Sequence, residues 1–171
     1  MKTENKQYKF KQNINDITLS SRDEVKVMNT AMTQHATRKI DIMSRYFDAA
    51  IYDNTDFIEA ARNLSIASKF TRIRILIKDS EPMVKNGHRI IELIHQLTSS
   101  IEVRQIAEEY KSSNEAFSLY DEKALIYLHH ADRYEGVANF DRPRLAAELT
   151  AYFNEVWERS IPDQNLRRLH L

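Results

Sequence analysis

Apolar residues along the chain recur at two spacings, and the switches between them mark out the elements. Val25, Met28, Ala31 and Met32 follow a capping-box pattern, Ser21 with Glu24, and predict a first helix over 21–35. Over 38–47 the pattern turns to alternation, with Ile40 and Ile42 on one face and Lys39 and Asp41 on the other, as in a strand. Phe57, Ile58, Ala61, Leu64 and Ala67 return to helical spacing behind the capping residues Asp53 or Asn54. The run Arg-Ile-Arg-Ile-Leu-Ile-Lys-Asp at 72–79 is the strongest strand, and Leu76 on its polar face predicts a sheet covered on both sides.

After the turn Ser-Glu-Pro at 80–82, the positions Val84, Gly87, Ile90, Ile91, Ile94 and Leu97 predict a third helix, and 101–106 a further strand. Strands alternating with helices imply parallel pairing through right-handed crossovers. The order then changes. Strands over 116–120 and 124–128, separated only by Asp121, Glu122 and Lys123, must form an antiparallel hairpin. A dense polar loop follows, and a last helix starts near Asp141 to Pro143 with Leu145, Leu149, Tyr152, Phe153 and Val156 or Trp157 on its apolar face. Ile161 and Pro162 end it. The expectation is therefore an α/β domain with a mixed, mainly parallel sheet flanked by helices. Residues 1–20 read as a flexible N-terminal arm and 21–171 as one domain, with 163–171 a tail free to dock in trans.

Bulk properties narrow the function classes. A chain of 171 residues is the size of one domain. Its 25 basic and 25 acidic residues cancel, which gives no global attraction to nucleic acid or an anionic membrane. The third and weakest functional option, nucleic-acid binding, would have to use Arg167, Arg168 and the basic N-terminal arm. Without cysteine there is no disulfide, thiolate metal site or cysteine nucleophile, and the expected compartment is the cytoplasm. Two glycines and three prolines argue for regular elements and short connections.

Two groups of side chains could carry chemistry. The polar loop holds His129, His130, Asp132, Arg133, Tyr134, Glu135 and Asn139. If the strand continued through them, His129 and His130 would face opposite ways and could not share a metal ion. His130 and Asp132 could serve proton transfer or anion binding with Arg133, but the reading placed first is structural, with Asp132, Arg133 and Glu135 as a buried ion-pair clasp beneath the last helix. Lys78, Asp79, Lys85, His88 and Arg89 form the second group, near the carboxyl ends of the parallel strands, where open α/β sheets place ligands. Lys85 and His88, read as the first turns of a helix, could meet a phosphate or carboxylate. His35 and the aromatic set Tyr127, Tyr134, Tyr152, Phe153 and Trp157 read as core, and no cofactor is expected. Arg72 and Arg74 share a strand face and read as structural partners of Glu102 or Asp41.

The order of elements resembles one half of the phospholipase D superfamily, in which the hairpin carries a His-x-Lys-x4-Asp motif. With Asp121 at the motif's aspartate, Asn114 falls at the histidine and Ala116 at the lysine. The resemblance implies that the histidine would be the phosphoryl-accepting nucleophile and the lysine a phosphate ligand, and neither residue type is present. The motifs Ile-Leu-Ile-Lys-Asp at 75–79, Gly-His-Arg at 87–89, Ala-Asp-Arg-Tyr-Glu-Gly-Val-Ala-Asn at 131–139 and Val-Trp-Glu-Arg-Ser at 156–160 look more closely like an uncharacterised bacterial domain family, over about 40–171. Members of that family resemble a phospholipase D half without its catalytic residues, some joined to acetyltransferase domains of the GNAT type. No acetyltransferase pyrophosphate loop occurs here. The resemblance implies a binding or assembly module, a homodimer, and an acetyltransferase-like protein partner. The alternative is a phosphodiesterase or nuclease that uses His88, His129 or His130 in a rebuilt site.

Overall fold

The computed structural model describes residues 15–167. An eight-stranded sheet runs through the molecule. Its strands are β1 (Ile17–Leu19), β2 (Lys39–Ser44), β3 (Arg72–Ile77), β4 (Ile101–Gln105), β5 (Ala116–Tyr120), β6 (Ala124–His130), β7 (Glu135–Asn139) and β8 (Ile161–Pro162), in spatial order β1-β7-β6-β5-β2-β3-β4-β8. The helices are α1 (Arg22–His35), α2 (Ala49–Tyr52), α3 (Thr55–Ala67), α4 (Glu81–Lys85), α5 (Ile90–Gln96), α6 (Pro143–Arg159) and α7 (Gln164–Arg167).

The sheet is mixed, but parallel pairing is confined to β2–β3–β4. It is not mainly parallel, because β1, β7 and β8, which the alternation pattern did not reveal, all pair antiparallel. Strands β5 and β6 form the expected hairpin. Asp121 and Glu122 turn its corner in left-handed conformation. The Asp121 carboxylate accepts hydrogen bonds from the backbone N–H groups of Thr37, Arg38 and Lys39, at 2.8, 2.8 and 2.9 Å. It thereby ties the corner to the start of β2, and these bonds hold its carboxyl below the usual range although burial opposes them.

Helices cover both faces. On one, α1, α3 and α5 pack over Ile40, Ile42, Ile73, Ile75 and Ile77. On the other, α6 lays Leu149, Phe153, Val156 and Trp157 over Met43, Leu76, Phe117 and Tyr127. Leu76, the apolar intruder on the polar face of β3, is fully buried beneath α6.

Three expectations change locally. The helix expected over 84–97 breaks into α4 and α5 at Gly87, whose left-handed φ of +64° an alanine would resist. Ile17–Leu19, within the stretch read as an arm, pairs with β7, anchored by Asp16, whose carboxylate accepts from Asn139 Nδ2 at 2.9 Å and faces Arg142 Nη1 at 3.1 Å. At the other end, the beginning of the tail docks in cis. Leu166 is buried, and its carbonyl lies 2.7 Å from His95 Nε2. Residues 1–14 and 168–171, including Arg168 and most of the basic arm, lie outside the described residues, as does the Arg167 side chain.

Candidate functional site

Strands β2, β3 and β4 end side by side, and the segments that leave them surround a cavity of about 180 Å³. Its wall includes Ser44, Arg45, Tyr46 and Asp48 after β2, Lys78 after β3, Asn114, Glu115 and Ala116 entering β5, Leu128 of β6, and Ala131, Asp132 and Tyr134 beyond it. Ile51 and Tyr52 of α2 complete its apolar side. An outer cleft of about 420 Å³ shares Arg45, Tyr46, Lys78 and Asn114 with this cavity and adds Asp79, Gln105 and Lys111. This is the carboxyl end of the parallel strands, beside the point where the sheet turns antiparallel, where open sheets place ligands.

The cleft is cationic. Arg45, Lys78 and Lys111 face it against Asp79. Lys111 pairs with the exposed Glu108 at 3.0 Å, whereas among the described residues neither Arg45 nor Lys78 forms an ion pair. Lys78 is partly buried, and its Nζ donates to the Ser113 carbonyl. Burial first, and the charge of Arg45 second, lower its pKa, while Glu115 opposes the shift. An ammonium that is partly desolvated, close to a second cation and without a bonded carboxylate is electrostatically suited to an anion.

Two residues in left-handed conformation adjoin the cavity, Phe47 at φ 53° and Tyr134 at φ 56°. Such backbone persists where surrounding contacts impose it. Phe47 is fixed by stacking on Tyr52, with ring centres 4.1 Å apart. Tyr134 donates its hydroxyl proton to Asp48 Oδ2 at 2.5 Å, linking the segment after β2 to the one after β6. Asp48 also caps α2 through the Ala50 N–H at 2.9 Å. The Tyr134–Asp48 hydrogen bond, followed by burial, pushes the Tyr134 phenol up to about 12. Tyr134→Phe is expected to cost about 1–2 kcal/mol in urea unfolding, the lower range for a bond to a charged group because the pair lies within reach of water. Since the folded pKa is the higher one, this contribution is complete below the ordinary phenol value near 10 and is lost as pH rises through about 12.

Of the residues singled out in the sequence, Lys78, Asp132 and Tyr134 line this cavity, as do Asn114 and Ala116 of the motif count, whereas Lys85, His88, His129, His130, Arg133 and Glu135 do not. His88 sits between α4 and α5 and is not in the first turns of one helix. It is buried, its Nδ1 accepts from the Ile90 N–H at 3.2 Å, and burial lowers its pKa. It borders a separate hollow with Phe47, Pro82 and Met83. Lys85 ends α4, exposed, in an ion pair with Glu81 at 2.9 Å. The polar loop is itself a hairpin connection. β6 runs on to His130 through a bulge at His129, a short 3-10 turn spans Ala131–Arg133, and β7 returns from Glu135. His130, Asp132, Arg133 and Glu135 are exposed, and among the described residues no ion pair joins Asp132, Arg133 and Glu135. The buried clasp therefore gives way to a solvated turn. His129 packs edge-on against Tyr127, and burial lowers its pKa. No described cavity is lined by more than one histidine. Among the described residues no group of three His, Cys, Asp or Glu side chains could hold a metal ion.

Arg45, Tyr46, Asp48 and Lys111 were not recognised as site residues. Arg45 and Tyr46 were hidden by the reading of 38–47 as strand, which ends at Ser44. Charged residues just past β2 and β3, at Arg45, Lys78 and Asp79, were the available signal.

The mixed sheet between helices, with its cleft at the ends of β2 to β4, defines an α/β domain whose fold is similar to that of phospholipase D family structures. Over residues 21–169 the chain matches the family described as Domain of unknown function (DUF7931), and it belongs to that family. No curated protein matches it. Among solved structures, TrmBL2, an archaeal chromatin protein whose structure shows a novel mode of DNA binding, is similar with a TM-score of 0.64 and 16% identity over 90% of this chain. The chain spans 57% of that protein's length. NucT from Helicobacter pylori is similar with a TM-score of 0.59 and 13% identity, covering 86% of this chain and 97% of its own. Nuc from Salmonella typhimurium, a phospholipase D family member, gives 0.55 and 15%, covering 80% and 89%. At these identities the likeness concerns the fold. No described helix is long and apolar enough to cross a membrane.

Proposed function

We propose that this domain is a catalytically inactive phospholipase D-like module that binds an anionic ligand in its cleft and serves assembly. The observation that carries this reading is the position of Asn114 and Ala116. The motif count from Asp121 puts them where a phospholipase D half has its nucleophilic histidine and its lysine, and both line the cavity. An amide cannot replace an imidazole as phosphoryl acceptor, and a methyl group cannot hold phosphate oxygens. The cations Arg45, Lys78 and Lys111 keep the cleft attractive to an anion without supplying a nucleophile. By the same resemblance, two copies pair into a homodimer and an acetyltransferase-like protein is the partner.

The purified protein is expected to release no p-nitrophenol from bis(p-nitrophenyl) phosphate above the buffer rate, while inorganic phosphate raises its melting temperature and the rise disappears in Lys78→Met. Sedimentation is expected to give twice the chain mass. Hydrolysis that His130→Ala abolishes would overturn the inactive reading in favour of a rebuilt histidine site.

A further inference from the structure

The two halves of the site differ in chemistry. The outer cleft carries the cations, while Ile51, Tyr52, Ala116 and Leu128 line the inner cavity behind them, each nine-tenths or more buried. A cavity of this kind offers little to a hydrated inorganic ion, which gains nothing from apolar walls and loses water to enter. It offers much to a carbon skeleton. An apolar cavity of about 150 Å³ is enough for a benzene ring, and this one measures about 180 Å³.

Charge fixes which end goes where. Asp48, Glu115 and Asp132 border the inner cavity, so an anionic group placed there meets like charge. Arg45 and Lys78 stand where cavity and cleft join. A ligand that satisfies both halves points its charge outward to these cations and its carbon body inward.

Resting on the anion-binding reading above, we infer that the ligand is a small organic oxyanion: a phosphate or carboxylate head at Arg45 and Lys78, with one ring or short branched chain in the inner cavity. The site therefore discriminates by the body as well as the head. Selectivity of this kind does not follow from a cleft that only grips phosphate.

Calorimetric titration with phenyl phosphate, phenylacetate and inorganic phosphate tests it. At least one aryl anion is expected to bind about tenfold or more tightly than inorganic phosphate, the effect of burying roughly two methylene groups. Preference for phenyl phosphate assigns a phosphate head, and preference for phenylacetate a carboxylate. Ala116→Leu, which adds bulk at the wall of the inner cavity, should bring the ratio of aryl-anion to inorganic-phosphate affinity toward one. Ala131→Leu, on the less buried rim, gives the same readout should the first variant fail to fold. If inorganic phosphate binds as tightly as both aryl anions and neither leucine matters, the organic body is overturned while the anion site stands. If none of the three binds to the wild-type protein, the anion-binding reading falls and this inference with it.

Discussion

Asp41→Ala is expected to lower the unfolding free energy by about 3–5 kcal/mol, the usual loss when one partner of a buried ion pair is removed. Asp41 is 2% exposed in the middle of β2. Its carboxylate accepts from Arg74 Nε at 2.7 Å and Nη2 at 2.9 Å, and Lys39 Nζ lies 3.2 Å away. Arg74 is in turn held under α6, with its guanidinium 4.8 Å from the Phe153 ring centre and 5.2 Å from that of Trp157, and an Nη2 donating to Asn154 Oδ1 at 2.8 Å. Without Asp41, Arg74 and Lys39 lose the carboxylate between them, and the aromatic faces of α6 compensate only part of the Arg74 charge. Trp157, the single tryptophan, reports the transition by its fluorescence in urea. Pairing Asp41→Ala with Arg74→Met should cost less than the sum of the two single changes, because the second removes the charge that the first strands. A single-variant loss below about 1 kcal/mol would mean that water enters under α6 and the pair acts as a surface one.

That pair was legible in the sequence, since Lys39-Ile-Asp-Ile and Arg-Ile-Arg-Ile each alternate, and charged residues sharing a face on neighbouring strands meet. The long amphipathic helices, the β5–β6 hairpin and the change from crossovers to antiparallel pairing were legible for the same reason, being local in pattern. What escaped was set by distant partners. β7 reads Glu-Gly-Val-Ala-Asn, with one β-branched residue, and its extended form is imposed by β6 on one side and β1 on the other. β8 has two residues, one of them proline, and pairs with β4 at the sheet edge. The site escaped in part for the same reason. Arg45, Lys78, Asn114 and Tyr134 come from four separate connections, and only the sheet order brings them to one cavity. Lys78 could be picked out because it follows the most evident strand.

Gly136→Ala is expected to cost about 3 kcal/mol or more, at the upper end of overpacking effects, since the obstacle is backbone and cannot rotate away. A Cβ at Gly136 would stand 2.0 Å from the Tyr127 carbonyl oxygen and 2.7 Å from the Leu128 Cα. Gly136 sits opposite Leu128 just where the bulge at His129 shifts the β6–β7 register, and the two backbones close in on a residue without a side chain. Relief requires β7 to move away from β6. Since among the described residues β1 pairs only with β7, and Tyr134 lies two residues before Gly136, that movement loosens both the sheet edge and the Tyr134–Asp48 bond at the cavity wall. Hydrogen exchange should therefore show the amides of β7 and β1 losing protection together while those of β3, central and buried, keep theirs. Ligand affinity should fall with them. Uniform loss of protection across β3 and β7 would instead mean that the sheet unfolds as one unit, with the cavity wall no weaker than the core.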